Sequence, residues 1–198
     1  MLEAILLSAG QSSRMGRDKA LLPMGETTVI LHIMKKLLSV ADRVVVVLGD
    51  NYKTINKYLN ENYKDRVDCV YNKNHLKGMY SSAKKGFSVI NEKKPVIFQL
   101  IDQPFVPAEI YLNLANSYKG QLIYQPSVLK NGRFRAGHPI IFSSNFREII
   151  LKDTECDNLR DLINKYPMDR AFLHVEHNEI LDNLNTFEAY NRKLKEKI

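Results

Sequence analysis

Short apolar runs alternate with amphipathic stretches through the first two thirds of the chain. Ala4–Leu7, Arg43–Leu48, Asp68–Tyr71, Pro95–Ile101 and Gln121–Gln125 are strand-sized and rich in Val, Ile and Leu. Between them, Val29–Leu38, Tyr52–Glu61, Tyr80–Ile90 and Pro107–Ser117 carry helical spacing. In the first of these, Ile30, Ile33, Met34, Leu37 and Leu38 share one face, which predicts that Lys35 and Lys36 face solvent. Continuous apolar strands joined by helices predict a mainly parallel sheet covered on both faces, a three-layer α/β/α sandwich.

The final third changes character. Asn131-Gly132 is a hairpin turn signal, followed by a strand at Pro139–Phe142. Helices are expected near Asn145–Leu151 and Leu159–Lys165, then a strand at Ala171–Val175 and a last helix from Thr186. The sheet is therefore expected to be mixed there. No repeat, low-complexity tract or linker divides the chain, so residues 1–198 are expected to form one domain.

Composition narrows the choice of partners. The 198 residues are 44% hydrophobic and 26% charged, which suits a packed globular chain and excludes a disordered one. A net charge of +7 suits an anionic partner: nucleic acid, a membrane surface or a phosphorylated small molecule. The longest apolar runs are far below a membrane span. The start, MLEAILLSAG, does not read as a signal peptide. Cys69 and Cys156 have no histidines at ligand spacing and read as two reduced thiols, so a cytoplasmic location is expected. The basic C-terminal end, NRKLKEKI, mixes charges as a solvated helix does, and no nucleic-acid motif is present.

In an open parallel sheet ligands bind beyond the carboxyl ends of the strands, so the residues just after each strand are informative. The first such loop runs from Ser8 to Pro23. Gly10 and Gly16 permit close backbone approach, Ser12 and Ser13 add small donors, and Arg14 and Lys19 add positive charge. Together these could cradle phosphates. The loop is neither a P-loop, since five residues separate its glycines, nor a dinucleotide fingerprint. Asp102 leaves an apolar run and could hold Mg²⁺ jointly with substrate phosphates, or serve as a turn or cap aspartate. In Asn72–Gly86, Gly78 opens a turn, and Ser81 and Ser82 either touch a ligand or cap a helix. His75 reads as a solvated loop residue. Arg133, Arg135 and His138 could receive a phosphorylated acceptor, although His138 could equally satisfy a backbone carbonyl. His32, His174 and His177 read as structural, and no nucleophile–histidine set stands out.

These residues carry a resemblance. Ser8-Ala9-Gly10, Ser12, Arg14-Met15-Gly16, Lys19 and Leu21-Leu22-Pro23 are similar to the opening signature of the molybdenum cofactor cytidylyltransferase-like (MobA-like) nucleotidyltransferases. The likeness continues through Gly78-Met79, Ser82, Gly86, Asp102-Gln103-Pro104 and Gly137-His138-Pro139 in the family's order. It implies a Rossmann-like nucleotidyltransferase fold. It also implies transfer of a nucleoside monophosphate from an NTP to a phosphorylated acceptor of the molybdopterin type, with release of pyrophosphate.

By the same resemblance, Ser8, Ala9, Gly10, Ser12, Arg14, Gly16, Lys19, Asn72, Gly78 and Ser82 bind the nucleotide. Arg14, Lys19 and Asp102 would be catalytic, and Asp102 would hold Mg²⁺. His138, Arg135 and Arg160 would lie toward the acceptor. Roughly residues 1–105 would serve the nucleotide and 106–198 the acceptor. Family members that use GTP usually carry a second glycine where this chain has Ala9, whose Cβ favours CTP. The product would pass in transient contact to a molybdoenzyme or its chaperone.

The chain departs from the family pattern in three places. Asn183-Leu184-Asn185 stands where Asp-Ile-Asp is common, so Asn183 and Asn185 would be neutral metal ligands. Asn158-Leu159 replaces a small pair before Arg160, and Ile101 replaces a glycine before Asp102. The alternatives are a GTP-using enzyme, another phosphorylated acceptor, or a non-catalytic nucleotide- or cofactor-binding chaperone.

Overall fold

The computed structural model describes residues 2–10, 18–63, 65–184 and 186–197. β1 (Leu2–Ser8) is followed by a small ribbon of β2 (Pro23–Met24) and β3 (Thr27–Thr28), then α1 (Val29–Leu38) and β4 (Ala41–Leu48). α2 (Tyr52–Asn62), β5 (Val67–Tyr71), α3 (Met79–Val89), β6 (Val96–Leu100) and α4 (Ala108–Ser117) complete the alternating part. The remainder is β7 (Ile123–Lys130), β8 (Arg133–Ala136), β9 (Ile140–Phe142), α5 (Ser144–Lys152), α6 (Leu159–Asn164), β10 (Arg170–His174) and α7 (Phe187–Lys197).

The main sheet runs β10-β7-β9-β6-β1-β4-β5, with β8 hydrogen-bonded to β7. β1, β4, β5 and β6 are mutually parallel, whereas β9 enters antiparallel between β6 and β7. The expected three-layer sandwich with a mixed C-terminal part is therefore present.

Alternation along β1 divides the core. Ala4 and Leu6 face α1, α2 and α4, while Ile5 and Leu7 face α3, α5 and α6. The second face is knit by Phe87, Phe98, Phe142 and Phe146, whose ring centroids lie 4.2–6.2 Å apart. Each of these fully buried rings stabilises the fold by roughly 1.5–3 kcal/mol through burial alone. Phe142→Ala would break this cluster most directly, at a cost of about 3–5 kcal/mol. α3 packs close to β1 because residue 86 has no side chain: a Cβ there would lie 2.9 Å from Ile5 Cγ2.

Two local expectations are corrected. The strand expected to stop at Gln125 runs through Pro126 to Lys130. Pro126 falls where β7 exchanges β9, paired at Ile123 and Tyr124, for β8, paired from Ser127 onward. A missing N–H is tolerated at such a break in the ladder. Lys35 is exposed as expected, but Lys36 is only 8% exposed. Its ammonium donates to the carbonyls of Pro104 and Val106 at 2.7 and 2.6 Å.

Candidate active site

A cavity of about 310 Å³ opens at the carboxyl ends of β1 and β6, beside the start of α3. Seven of the predicted residues line it: Ser8, Ala9, Gly10, Lys19, Gly78, Ser82 and Asp102. Ser12, Arg14, Gly16 and Asn185 lie outside the described residues.

Lys19 begins a short 3-10 turn that Asp18 caps. Asp18 Oδ1 accepts from Ala20 N at 3.0 Å, and Oδ2 accepts from Asn51 Nδ2 at 2.7 Å. Asn51 Nδ2 also reaches the carbonyl of Ser8 at 3.4 Å, which ties the loops after β1 and β4 together. At the same cavity α3 opens at Gly78, with φ of 99° and no capping side chain, and Gly78, Met79 and Ser82 line the wall.

Asn72 does not line the cavity. It is 3% exposed, and its Nδ2 donates to Ser81 Oγ and Ser82 Oγ, both at 3.0 Å, so it positions the start of α3 from behind. Ser81 Oγ donates to the carbonyl of Gly78 at 2.8 Å, while Ser82 reaches the cavity wall.

Asp102 stands on the turn after β6. Burial pushes its carboxyl pKa up, and the positive charge of Lys19 opposes that shift. Its Oδ1 is buried with no hydrogen-bond partner among the described residues. A buried anionic oxygen facing a lysine and a cavity is suited to a cation. Among the described residues no group of three His, Cys, Asp or Glu side chains could hold a metal. Substrate oxygens would have to complete the coordination. The stretch around Asn183 passes close by, because Leu184 N donates to the Asp102 carbonyl at 2.7 Å. Asn183 itself is exposed.

The residues expected near an acceptor separate into two groups. The His138 ring lies 6.3 Å from Phe98, and its pKa is lowered to about 4 by burial and by the nearby charge of Arg160. His138 is therefore neutral at pH 7. His138 N donates to the carbonyl of Ile180 at 3.2 Å. Arg160, exposed on α6, converges with His138, but Arg135 does not. Arg135 pairs across strands with Val128 and shares that residue's face, on the α4 side of the sheet.

The loop after β4 escaped notice in the sequence. Gly49 is needed there for close approach, since a Cβ would lie 2.9 Å from both the Ala9 carbonyl and His75 Nδ1. His75, expected to be solvated, is 9% exposed; it lines the cavity and pairs with Asp50 at 3.1 Å. A glycine followed by Asp and Asn at a strand's carboxyl end is the signal that could have found this loop. His174 is structural as expected, paired through Nδ1 with Ser127 Oγ at 2.8 Å. Cys69 and Cys156 are free, and burial pushes the Cys69 thiol up to about 12.

A sequence model described as the MobA-like NTP transferase domain matches residues 4–171. The chain belongs to this family. It is accordingly a nucleotidyltransferase of the MobA-like type. A probable molybdenum cofactor guanylyltransferase of Carboxydothermus hydrogenoformans is 28% identical over 98% of this chain and 95% of its own length. A molybdenum cofactor cytidylyltransferase of Escherichia coli is 23% identical over 93% of this chain and 91% of its own. In fold, the MobA-like chain is similar to the crystal structure of Rv0371c from Mycobacterium tuberculosis H37Rv. That likeness has a TM-score of 0.81 at 20% identity, covering 98% of both chains. A complex of Rv0371c with manganese has also been solved and superposes with a TM-score of 0.77 at 19% identity, over 98% of both chains. Among the described residues no helix is long and apolar enough to cross a membrane.

Proposed function

We propose that this chain transfers a cytidine monophosphate from CTP to the phosphate of a molybdopterin-type cofactor and releases pyrophosphate. The observation that carries the reading is the unpartnered, buried Asp102 carboxylate oxygen, set with Lys19 on the cavity that Ser8-Ala9-Gly10 and the open start of α3 enclose.

The chemistry asks for little beyond alignment and neutralisation of charge. A phosphomonoester has its second pKa at about 6, so the acceptor is already mostly dianionic at pH 7 and needs no general base. Backbone amides near Gly10 and at the start of α3 would hold phosphate oxygens, with Ser82 at the same wall. Lys19 and Arg14 would neutralise the departing pyrophosphate, and the small residues Ser12 and Gly16 of the same loop would bind the nucleotide. Asp102 would hold Mg²⁺, with Asn183 and Asn185 as neutral ligands, and the ion when bound would supply charge neutralisation at the transferring phosphate. His138 and Arg160 would meet the acceptor, with Arg135 reaching it only around the edge of the sheet.

Roughly residues 1–105 would thus serve the nucleotide and the remainder the acceptor. Unpaired thiols and the absence of a spanning helix among the described residues suit the expected cytoplasmic setting. Ala9, 7% exposed and on the cavity wall, favours the smaller base. GTP is the second reading, favoured by the guanylyltransferase name of the 28% identical relative.

The test is pyrophosphate release by purified protein with the cofactor, CTP or GTP, and Mg²⁺. Asp102→Ala should abolish release while leaving the circular dichroism spectrum unchanged. Undiminished turnover would remove Asp102 from the site.

A further inference from the structure

The turn that carries Asp102, between Leu100 and Ala108, is short of its own donors because Pro104 and Pro107 have no N–H. It is nevertheless buried: Gln103 and Phe105 are each 4% exposed, and Val106 is fully enclosed. Its carbonyls must therefore find donors elsewhere in the fold. Gln99 Nε2 donates to the carbonyls of Leu100 and Gln103 at 3.1 and 3.4 Å, and Leu184 N donates to that of Asp102 at 2.7 Å. The carbonyls of Pro104 and Val106 converge on one group, the ammonium of Lys36, at 2.7 and 2.6 Å.

Lys36 lies on α1 between the fully buried Met34 and Leu37, so its backbone is fixed by the core. A buried ammonium holding two carbonyls makes charge-assisted hydrogen bonds, about twice as strong as neutral ones. Loss of these bonds would leave carbonyls in the interior without donors, and the turn would move to find others. Asp102 stands in this turn, two residues after β6 ends at Leu100 and two before Pro104, so such a movement reaches it directly.

We propose that Lys36 is a positioning residue for nucleotidyl transfer: clamping Pro104 and Val106, it fixes the turn that presents the Asp102 carboxylate to the cavity. The proposal rests on the reading of Asp102 as the carboxylate that faces the metal.

The experiment is a Mn²⁺ titration followed by electron paramagnetic resonance, with a non-transferring α,β-methylene CTP or GTP present so that no turnover is needed. Lys36→Met keeps the stem and removes the donors. It should raise the half-saturating Mn²⁺ concentration by roughly 10-fold or more, the usual effect of losing a residue that orients a metal ligand. The Mn²⁺ concentration for half-maximal pyrophosphate release should rise in parallel, with KM for the nucleotide at saturating Mn²⁺ changing by less than about 2-fold. Leu37→Ala, on the same helix, should lower the melting temperature without weakening Mn²⁺ binding. Should Lys36→Met fail to fold, Lys36→Gln replaces it, and Lys36→Arg, which keeps charge and donors, should restore part of the affinity.

Mn²⁺ binding unchanged in Lys36→Met, or weakened equally in Leu37→Ala, overturns the proposal. Asp102→Asn separates the two claims. If it leaves Mn²⁺ binding intact, the reading of Asp102 falls and the role of Lys36 falls with it. If it abolishes binding while Lys36→Met does not shift it, only the role of Lys36 falls.

Discussion

Gly137→Ala adds one methyl group where the residue before His138 packs against the segment that leads to Leu184. A Cβ at residue 137 would lie 2.3 Å from the carbonyl oxygen of Ile180 and 2.8 Å from its carbon, about 1 Å inside ordinary contact. The obstacle is backbone packed into the core, since Ile180 is fully buried, so no flexible side chain can swing aside. Overpacking of this kind costs about 1–3 kcal/mol. Ile180 must retreat from His138 N, which it now accepts at 3.2 Å, and the lost hydrogen bond adds about 1 kcal/mol. A chain of this size loses about 2–4 °C in melting temperature per kcal/mol, so a fall of roughly 5–15 °C is expected. The same retreat pulls on the stretch leading to Leu184, whose N–H holds the Asp102 carbonyl at 2.7 Å, so pyrophosphate release should fall in the folded variant as well. The assay is thermal unfolding by circular dichroism without metal, followed by turnover at a temperature where both proteins are folded. A variant melting within about 1 °C of the parent would refute the close approach of these two segments.

Three further outcomes are expected. Asp102→Asn should abolish transfer yet raise the metal-free melting temperature at pH 7. Burial sets the folded pKa of Asp102 above its unfolded value, so the carboxyl's penalty is absent below the unfolded value and grows as pH rises through the folded one. The gain should therefore shrink on acidification. His138 has the opposite slope: its folded pKa of about 4 lies below the ordinary 6.5, so stability falls as pH drops from 6.5 toward 4 and is flat above. His138→Gln should flatten that slope in melting curves taken across this range. Tyr111 is fully buried, and its hydroxyl has no partner among the described residues; Tyr111→Phe should raise the melting temperature by about 2–4 °C, close to 1 kcal/mol.

What the sequence revealed follows from how local each signal is. The loop after β1 and the turn after β6 are contiguous segments at predictable ends of strands, so Gly10, Lys19 and Asp102 are legible from residue order alone. The alternating part of the fold is legible for the same reason. The antiparallel entry of β9 between β6 and β7 is not, because a three-residue strand carries no mark of its neighbours. Lys36 is hidden more deeply. Its place beside Lys35 predicts exposure, and only the fold shows the Pro104 and Val106 carbonyls, 68 and 70 residues away, that bury it. The nearness of the Arg160 charge to His138 and the contact of Leu184 with Asp102 are likewise tertiary. Arg135 lies near His138 in sequence, yet β8 sets it on the face of Val128, a relation that residue order alone does not show.

Transfer of a nucleoside monophosphate onto a phosphorylated cofactor is the reaction proposed for this cavity. The most direct measurement supplies each of the four NTPs, labelled at the α-phosphate, with molybdopterin cofactor and Mg²⁺, and follows the label. Label is expected on the cofactor from CTP, in step with pyrophosphate release and lost in Asp102→Ala. Label from GTP alone would reassign the donor base. No transfer from any NTP, with the nucleotides still bound, would contradict nucleotidyl transfer at this cavity.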